Sequence, residues 1–210
     1  MQNKTMPEFV GFPKISRYSR EILVTEKIDG TNGCIFIGED GEFLVGSRKR
    51  WITPEQDNYG FARWAKENKE ELMELGPGRH FGEWWGSGIQ RGYGLTNGDK
   101  IFSLFNVTRW CPRGCEPQQI PCADPRIVKM QDTLPICVGL VPVLWRGMFD
   151  DLDVTDILAD MSHSGSRVVR GFMRPEGIVI YHVAGNVGFK KTFDGDTPKS
   201  MTNKNTKEIL

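Results

Sequence analysis

The feature that most constrains the fold is the stretch CIFIGEDGEFLVGSR at residues 34–48, where apolar and polar side chains alternate on both sides of an Asp-Gly pair. Alternation with a period of two predicts β-strands, and Asp-Gly is typical of a two-residue hairpin turn. We therefore expect an antiparallel hairpin with Asp40-Gly41 as its turn. The apolar residues on its two strands are Ile35, Ile37, Phe43 and Val45.

Other apolar segments predict more strands and few helices. Strands are expected at Ile22–Val24 and in HFGEWWG (80–86), KIFSLFNVTRW (100–110), ICVGLVPVLWRG (136–147), EGIVIYHV (176–183) and VGFKKTF (187–193). Helical spacing predicts one helix in residues 58–75, stopped by Gly76-Pro77-Gly78, and another in residues 151–161 with Asp153 as its N-cap. A proline-rich connector is expected at residues 111–126. The expected fold is α+β, with antiparallel β-sheets flanked by a few helices.

Length and composition limit the class of protein. With 210 residues, 39% of them hydrophobic and 26% charged, the chain can form one large globular domain. No apolar run approaches the roughly 20 residues of a membrane span, and the polar start MQNKTMPEF is unlike a signal peptide. We therefore expect a cytoplasmic monomer without a membrane contact. Lys plus Arg and Asp plus Glu both number 27, so net neutrality argues against a passive nucleic-acid coat.

The five cysteines are expected to be reduced thiols, because the chain shows no export signal. Cys111, Cys115 and Cys122 fall in the proline-rich stretch WCPRGCEPQQIPCADP. A zinc site would ordinarily add a fourth ligand, and no histidine lies nearby. Zinc is therefore not expected there, and the role of these cysteines stays open.

Lys27 follows an apolar run in EILVTEKIDGTNG, residues 21–33, and precedes Asp29 and Gly30. A lysine amine has an ordinary pKa of about 10.4, so a lysine nucleophile must be desolvated or lie near other cations to expose its lone pair. The apolar strand before Lys27 provides such surroundings. If the strand continues, Asp29 shares the side of Lys27, where a carboxylate could hold a divalent cation. The same residues fit a surface ion pair before a turn equally well.

Five further motifs follow in order: GSRKRW, FGEWWG, FSLFNV, PEGIVIY and GFKKTF. Together with EKIDGTN, this series resembles the covalent nucleotidyltransferase superfamily of polynucleotide ligases and mRNA capping enzymes. Within it, EKIDGTN is most similar to the ATP-dependent RNA ligases related to the second RNA ligase of T-even phages and to the kinetoplastid RNA-editing ligases. The resemblance spans residues 24–193. Each motif is weak alone, whereas six in register are strong.

The resemblance implies roles for residues in the first motifs. Lys27 would attack the α-phosphate of ATP and become a lysyl-AMP, while Glu26 would face the adenine and Asn32 the ribose or phosphate. Arg48 would contact the nucleotide or an RNA 5′-phosphate, with Arg50 as the competing choice, and both are expected on one strand face. Arginine suits a phosphate because its planar fork binds bidentately. On residue types alone, this basic cluster fits a solvated hairpin end equally well.

The later motifs imply the rest of a nucleotide site. Glu83 would bind the ribose, and Phe105 would stack on the adenine. Glu176 would be associated with the catalytic metal, either Mg2+ or Mn2+, beside the carboxylate that strand alternation places at Asp29. Lys190 would contact the α-phosphate and stabilise developing charge. Without the resemblance, Glu83 fits an exposed strand residue and Phe105 a core residue.

The last motif departs from the family's pattern. The common pattern is Lys-x-Lys, but Thr192 stands two residues after Lys190, and Lys191 is expected on the opposite sheet face. Either Thr192 does a reduced form of the missing lysine's work or another basic residue, such as Lys199, replaces it.

The expected domain organisation is a nucleotidyltransferase domain at residues 1–195 and a polar, loosely ordered tail at residues 196–210. Neither an OB-fold domain nor the N-terminal module of NAD-dependent ligases is expected, so ATP is the expected donor. The loop GSGIQRGYG lacks the Gly-Lys-Ser/Thr of a phosphate-binding loop and is either substrate-facing or connective.

The implied function is an ATP-dependent RNA ligase that joins an RNA 5′-phosphate to a 3′-hydroxyl, with an accessory protein or domain in place of the missing C-terminal module. Two alternatives stay open: an ATP-dependent DNA nick ligase, and a non-catalytic nucleotide- or nucleic-acid-binding domain. The kind of RNA also stays open between a nicked duplex, a tRNA and a single strand.

Overall fold

Ten β-strands arranged in two sheets form the framework of the part of the protein that the structure describes. The computed structural model describes residues 8–111 and 134–195. The strands are β1 (Glu21–Lys27), β2 (Thr31–Ile37), β3 (Phe43–Ser47), β4 (Trp51–Ile52), β5 (Gly78–Gly86), β6 (Lys100–Leu104), β7 (Val138–Leu140), β8 (Val143–Met148), β9 (Gly177–His182) and β10 (Val187–Thr192). The four-stranded sheet has the order β10-β9-β1-β8, and the six-stranded sheet has the order β4-β3-β2-β5-β6-β7. Only the β6–β7 pair of the described ladders is parallel, which confirms the predicted α+β class with antiparallel sheets.

Four α-helices accompany the sheets in the described part of the chain. They are α1 (Phe61–Glu67), α2 (Lys69–Met73), α3 (Val107–Trp110) and α4 (Val154–Ser164). Short turns of 3-10 helix lie at Gly92–Gly94 and Phe149–Asp151. Across residues 8–111 and 134–195, no helix has the length and apolar character that crossing a membrane requires.

β1 is covered on both edges and on both faces. It pairs with β8 along one edge and with β9 along the other. Ile22 and Val24 pack with Met161 of α4 on one face, while Leu23 joins the larger core on the other. A strand buried on both faces explains why Ile22-Leu23-Val24 is a continuous apolar run without alternation.

The predicted hairpin is formed by β2 and β3. Its register pairs Ile35 with Val45 and Ile37 with Phe43. The loop has three residues, 39–41, one more than predicted, because Gly38 N donates to Glu42 O at 2.8 Å and Gly41 N donates to Gly38 O at 3.0 Å. Gly41 has a φ of 84°, the left-handed conformation that three-residue hairpin loops place on glycine.

The helix predicted over residues 58–75 is divided into α1 and α2. Asn68 separates the two with a φ of −106° and a ψ of 21°, and its side-chain amide donates to the Trp64 carbonyl at 2.8 Å. Asparagine interrupts helices through such bonds between its side chain and the backbone. Four of the apolar residues that predicted the helix are nevertheless buried: Phe61, Ala65, Leu72 and Leu75.

Two predicted strands are wrong in extent. β6 ends at Leu104, and Asn106 caps α3 with its side-chain oxygen where the strand was expected to continue. Residues 136–147 do not form one strand, because β7 lies in the six-stranded sheet and β8 in the four-stranded sheet. Pro142 lies between them and has no N–H to continue a ladder, while its carbonyl accepts a hydrogen bond from Glu26 N at 2.9 Å.

The C-terminal elements agree with the sequence. Asp153 caps α4, its Oδ1 accepting hydrogen bonds from Thr155 N at 2.8 Å and Asp156 N at 3.0 Å. β9 and β10 are joined by the predicted turn at residues 184–186. Several predictions fall outside the described residues: the connector beyond Cys111, Cys115, Cys122, Lys199 and the tail at residues 196–210.

Gly33→Ala should destabilise the protein by about 1–3 kcal/mol, because overpacking forces neighbours apart. A Cβ at Gly33 would lie 2.7 Å from the Phe61 ring and 2.9 Å from the Phe102 ring, between the six-stranded sheet and α1. Gly188→Ala is the matched control, because Gly188 also lies in a strand but the nearest atom to its added Cβ is 3.9 Å away. Urea unfolding measures both, and equal free energies of unfolding would contradict this packing.

Candidate active site

Lys27 is the last residue of β1, where the chain leaves the four-stranded sheet for the six-stranded one. Its Nζ lies 2.5 Å from Glu176 Oε2, and the two side chains are only 23% and 17% exposed. Glu176 directly precedes β9, whose first residue, Gly177, is the register partner of Lys27. The pairing of β1 with β9 therefore fixes the amine against a carboxylate that is 149 residues away in the sequence.

Glu83 brings the six-stranded sheet to the same place. It lies on β5 and is 8% exposed. Its Oε1 accepts a hydrogen bond from Gly30 N at 3.0 Å, and its Oε2 accepts one from Asn32 Nδ2 at 3.2 Å. Burial raises the pKa of Glu83 to about 7. Nearby Lys27 lowers this pKa, whereas neighbouring carboxylates, including that of Glu176, raise it. The structure thus brings four of the predicted residues together: Lys27, Asn32, Glu83 and Glu176.

Asp29 is held by two residues that the sequence analysis did not single out. Arg91 Nε donates to Asp29 Oδ2 at 3.0 Å, and Tyr93 Oη accepts a hydrogen bond from Asp29 N at 2.9 Å. The other guanidinium nitrogens of Arg91 donate to the Asp194 carboxylate and, at 3.2 Å, to the Arg174 carbonyl. Asp29 was predicted to share a strand side with Lys27, but β1 ends at Lys27, so strand alternation does not apply to it.

The glycine-rich loop GSGIQRGYG therefore reaches the site. Tyr93 is fully buried and has a φ of 51°, and burial, aided by nearby Glu26, raises the pKa of its hydroxyl above the ordinary range. That hydroxyl remains protonated at neutral pH. In the sequence, Arg91 and Tyr93 stand out as the two large polar side chains near the end of this glycine-rich loop. Nothing in the neighbouring residues indicated that Asp29 would be their partner.

The Glu26 side chain lies on the opposite sheet face from Lys27, because successive residues of a strand point to opposite faces. It is 1% exposed. Its carboxylate accepts hydrogen bonds from Ser166 Oγ at 2.6 Å, Arg167 N at 2.7 Å and Val168 N at 3.1 Å, and burial raises its pKa. The structure therefore does not bring this carboxylate to the side of the sheet where adenine was predicted to face it. Thr25 is the neighbour that shares the Lys27 face.

Lys190 and Thr192 lie on the Lys27 face of the four-stranded sheet. Thr192 is paired with Gly177, which is paired with Lys27, so these three residues form one row across the sheet. Lys190 is exposed one row further along. The Thr192 hydroxyl donates to Gly195 O at 2.9 Å. Lys191 faces the other way, as predicted from alternation.

Arg48 and Arg50 do not lie on a strand face. β3 ends at Ser47 and β4 begins at Trp51, so both arginines belong to the exposed bend between them. Arg50 Nη1 donates to Gln56 Oε1 at 3.4 Å. Their expected common strand face is therefore wrong, and both side chains extend from a short loop.

Phe105 follows β6 directly and is 41% exposed, so it is not a core residue. Its backbone N–H donates to Phe81 O at 2.9 Å, which continues the β5–β6 ladder by one residue. Ser103 is the register partner of Glu83, and Phe105 lies two residues beyond Ser103. The ring is therefore on the Glu83 face of the six-stranded sheet.

The two predicted metal ligands are already paired with cations in the protein alone. Glu176 contacts Lys27, and Asp29 contacts Arg91. Within residues 8–111 and 134–195, no group of three or more His, Cys, Asp or Glu side chains is arranged to hold a metal ion. A divalent cation at this place would need most of its oxygen ligands from a bound molecule, as is usual for Mg2+ at phosphates.

Comparison with known proteins gives a family and a fold. Residues 20–194 match the RNA ligase family model. No match was found among curated proteins. In three dimensions the chain is similar to Naegleria gruberi RNA ligase, which has been solved in several forms.

Three of these structures illustrate the likeness. A lysine-to-alanine mutant with ATP and Mn has a TM-score of 0.53 and 20% identity, covering 83% of this chain and 49% of that one. The ligase with PPi has a TM-score of 0.52 and 20% identity, covering 90% and 57%. A glutamate-to-alanine mutant with AMP and Mn has a TM-score of 0.51 and 16% identity, also covering 90% and 57%. The chain thus spans about half the length of these ligases, and the likeness shows a shared fold.

The raised pKa of Glu83 should make stability fall as pH rises. In the folded state Glu83 keeps its proton up to about pH 7, whereas its ordinary value is 4.5. The folded state therefore binds more protons between these values, and the associated stability, about 3 kcal/mol, is present below pH 4.5 and lost as pH rises through 7.

Glu83→Gln should remove this pH dependence. Urea unfolding between about pH 5 and pH 8 should show a smaller loss of unfolding free energy for Glu83→Gln than for the wild type. Glu42→Gln, at an exposed hairpin residue, is the matched control and should keep the wild-type profile. Parallel profiles for all three proteins would show that Glu83 is ionised throughout this range.

Proposed function

Because the chain belongs to the RNA ligase family, we propose that it is an ATP-dependent RNA ligase whose nucleotidyltransferase domain occupies residues 1–195. The observation that carries the proposal is the placement of Lys27. Its amine is largely buried at a strand end, paired with Glu176, and it shares a sheet face with Lys190. A surface ion pair would not explain this convergence of residues from both sheets.

The first step is the attack of Lys27 Nζ on the α-phosphorus of ATP. A nitrogen–phosphorus bond forms, the bond to the oxygen that bridges the α- and β-phosphates breaks, and pyrophosphate leaves. The amine must lose its proton to attack, and Glu176 Oε2, at 2.5 Å, is the acceptor in contact with it. β1 is held between β8 and β9, so the amine is positioned before the nucleotide arrives, which lowers the entropic part of the barrier.

The nucleotide lies on the shared face of the two sheets. Phe105 stacks on the adenine, a contact worth about 1–3 kcal/mol per base, and Glu83 with Asn32 accepts and donates hydrogen bonds at the ribose. Lys190 stabilises the charge that develops on the α-phosphate. Glu26 contributes from behind the sheet, by fixing residues 166–168 to β1.

A Mg2+ or Mn2+ ion would be held by Glu176 and Asp29 together with phosphate oxygens. It would neutralise phosphate charge during the attack. Glu176 contacts Lys27 through Oε2 alone, so its other oxygen would face the ion, while Asp29 would become available as ATP phosphates compete for Arg91. The Naegleria gruberi ligase has been solved with ATP and Mn, which supports the choice of ATP and a divalent cation.

The remaining two steps join RNA ends. AMP passes from Lys27 to an RNA 5′-phosphate, which regenerates the amine and forms an adenylylated end. A 3′-hydroxyl then attacks that end, forms the new phosphodiester bond and releases AMP. Arg48, or Arg50 in its place, is the candidate for binding the 5′-phosphate, because both are exposed in the bend between β3 and β4 and arginine can bind a phosphate bidentately.

Lys27→Ala should abolish formation of a protein–AMP adduct. Incubation with ATP labelled at the α-phosphate and either Mg2+ or Mn2+, followed by a denaturing gel, measures the adduct directly. The wild type should carry the label and the variant none, because no other amine occupies the end of β1. A wild-type protein without label under both metals would refute the ligase proposal, and unimpaired RNA binding in that case would favour the non-catalytic alternative.

Lys190→Ala should slow adduct formation about 100-fold or more, the usual effect of removing one group that stabilises transition-state charge. Lys191→Ala is the matched control, because the neighbouring lysine lies on the opposite sheet face. Single-turnover rates of label incorporation distinguish the two variants. Equal slowing by both substitutions would contradict the assignment of Lys190.

A further inference from the structure

The face of the six-stranded sheet that carries Asn32 and Glu83 continues away from Lys27 as a surface of exposed rings. Trp51, Gly46, Cys34 and Phe81 are successive register partners across β4, β3, β2 and β5, so their side chains share one face. Trp51 is 46% exposed and Phe81 is 54% exposed. Phe81 lies two residues from Glu83 on the same strand, about 7 Å away.

An arginine lies against two of the rings of this surface. The guanidinium carbon of Arg79 lies 4.9 Å from the centroid of the Phe36 ring and 5.4 Å from that of Trp51, and the two rings are 6.1 Å apart. The Trp51 ring lies across Gly46, where an added Cβ would be 3.1 Å from the indole. We call Phe36, Trp51, Arg79 and Phe81 the aromatic platform.

The charge around the platform is positive on the side of the active site. Arg48, Lys49 and Arg50 are exposed in the bend that precedes Trp51, and β3 enters that bend from Ser47, the register partner of Gly33. The bend therefore lies at the same end of the sheet as Asn32, which is the end nearer to Glu83 and Lys27. The acidic residues of the β2–β3 hairpin, Glu39, Asp40 and Glu42, are at its far tip, while one exposed carboxylate, Glu55, is adjacent to Gln56, which Arg50 contacts.

This combination indicates the chemistry of the ligand. Exposed flat rings beside arginines bind unpaired bases by stacking, while the cations bind the phosphates. Bases inside a duplex are stacked on one another and cannot reach such rings. We propose that the platform binds unpaired nucleotides of the RNA strand whose end lies at Lys27, an inference that rests on the proposed ligase function for its choice of RNA.

The proposal requires that single-stranded RNA loses affinity when a ring is removed. Trp51→Ala and Phe81→Ala should each weaken binding of a fluorescein-labelled, 5′-phosphorylated single-stranded RNA by at least about fivefold, measured by anisotropy. Phe189→Ala is the matched control, because Phe189 is an equally exposed ring, at 55%, on the other sheet, and it should bind as the wild type does. Arg79→Ala should also weaken binding and lower its salt dependence.

Two further measurements separate this inference from the proposed function. Blunt-ended duplex RNA should bind the wild type, Trp51→Ala and Phe81→Ala alike. The protein–AMP adduct should form at the wild-type rate in Trp51→Ala, because Trp51 lies on the edge strand β4, far across the sheet from Phe105 and Lys27. Trp51 and Phe81 are exposed, so both variants should keep the wild-type Tm. If Trp51→Ala lowers the Tm, its RNA affinity could fall because the fold is destabilised, so the affinity of Phe81→Ala alone then tests the proposal.

Wild-type affinity for single-stranded RNA in Phe81→Ala, equal weakening in Phe189→Ala, or an equal loss of duplex binding would each overturn the platform. A wild-type protein that forms no adduct would overturn the ligase proposal instead. The anisotropy difference between Phe81→Ala and Phe189→Ala would be unaffected by that failure, so the two results are read independently.

Discussion

The buried carboxylate of Glu83 is the contact on which the geometry of the site depends. It comes from the six-stranded sheet and binds Gly30 N in the connection that follows Lys27 from the four-stranded sheet. A Cβ at Gly30 would lie 2.4 Å from the Trp84 carbonyl, so only glycine allows the backbones to approach this closely. Burying a carboxylate is costly unless it is hydrogen-bonded, and this cost is tolerated where the two sheets must be held together beside Lys27.

The alternation of side chains predicted much of this arrangement, and it failed where a strand ended sooner than expected. It identified the β2–β3 hairpin and separated Lys190 from Lys191. The same reasoning misplaced Asp29 and Arg48, because β1 ends at Lys27 and β3 ends at Ser47. Beyond a strand end the backbone is free of the two-residue period. For Glu26, the family resemblance predicted that the side chain faces the adenine, whereas strand alternation places it on the face opposite Lys27.

Contacts between distant segments could not be predicted from local patterns. Arg91 joins the end of β1 to the segments before β9 and after β10, and Ser166 joins the Glu26 carboxylate across 140 residues of sequence. Hydrophobic periodicity indicates which face is buried but not which segment covers it. The split at Asn68 had a different cause, since a side-chain bond to Trp64 O outweighed an otherwise continuous helical pattern.

The chain order of the four-stranded sheet has a consequence for biosynthesis. β1 precedes the other described strands in the sequence, yet both of its neighbours, β8 and β9, follow it by more than 110 residues. In a polypeptide emerging from the ribosome, β2, β3 and β5 can therefore pair through contacts that are close in sequence. At that stage the apolar residues of β1 are still exposed, because β8 and β9 have not yet been made. Lys27 is consequently translated well before most of the residues that surround it, and a nascent chain that ends before Glu176 carries Lys27 without its ion-pair partner.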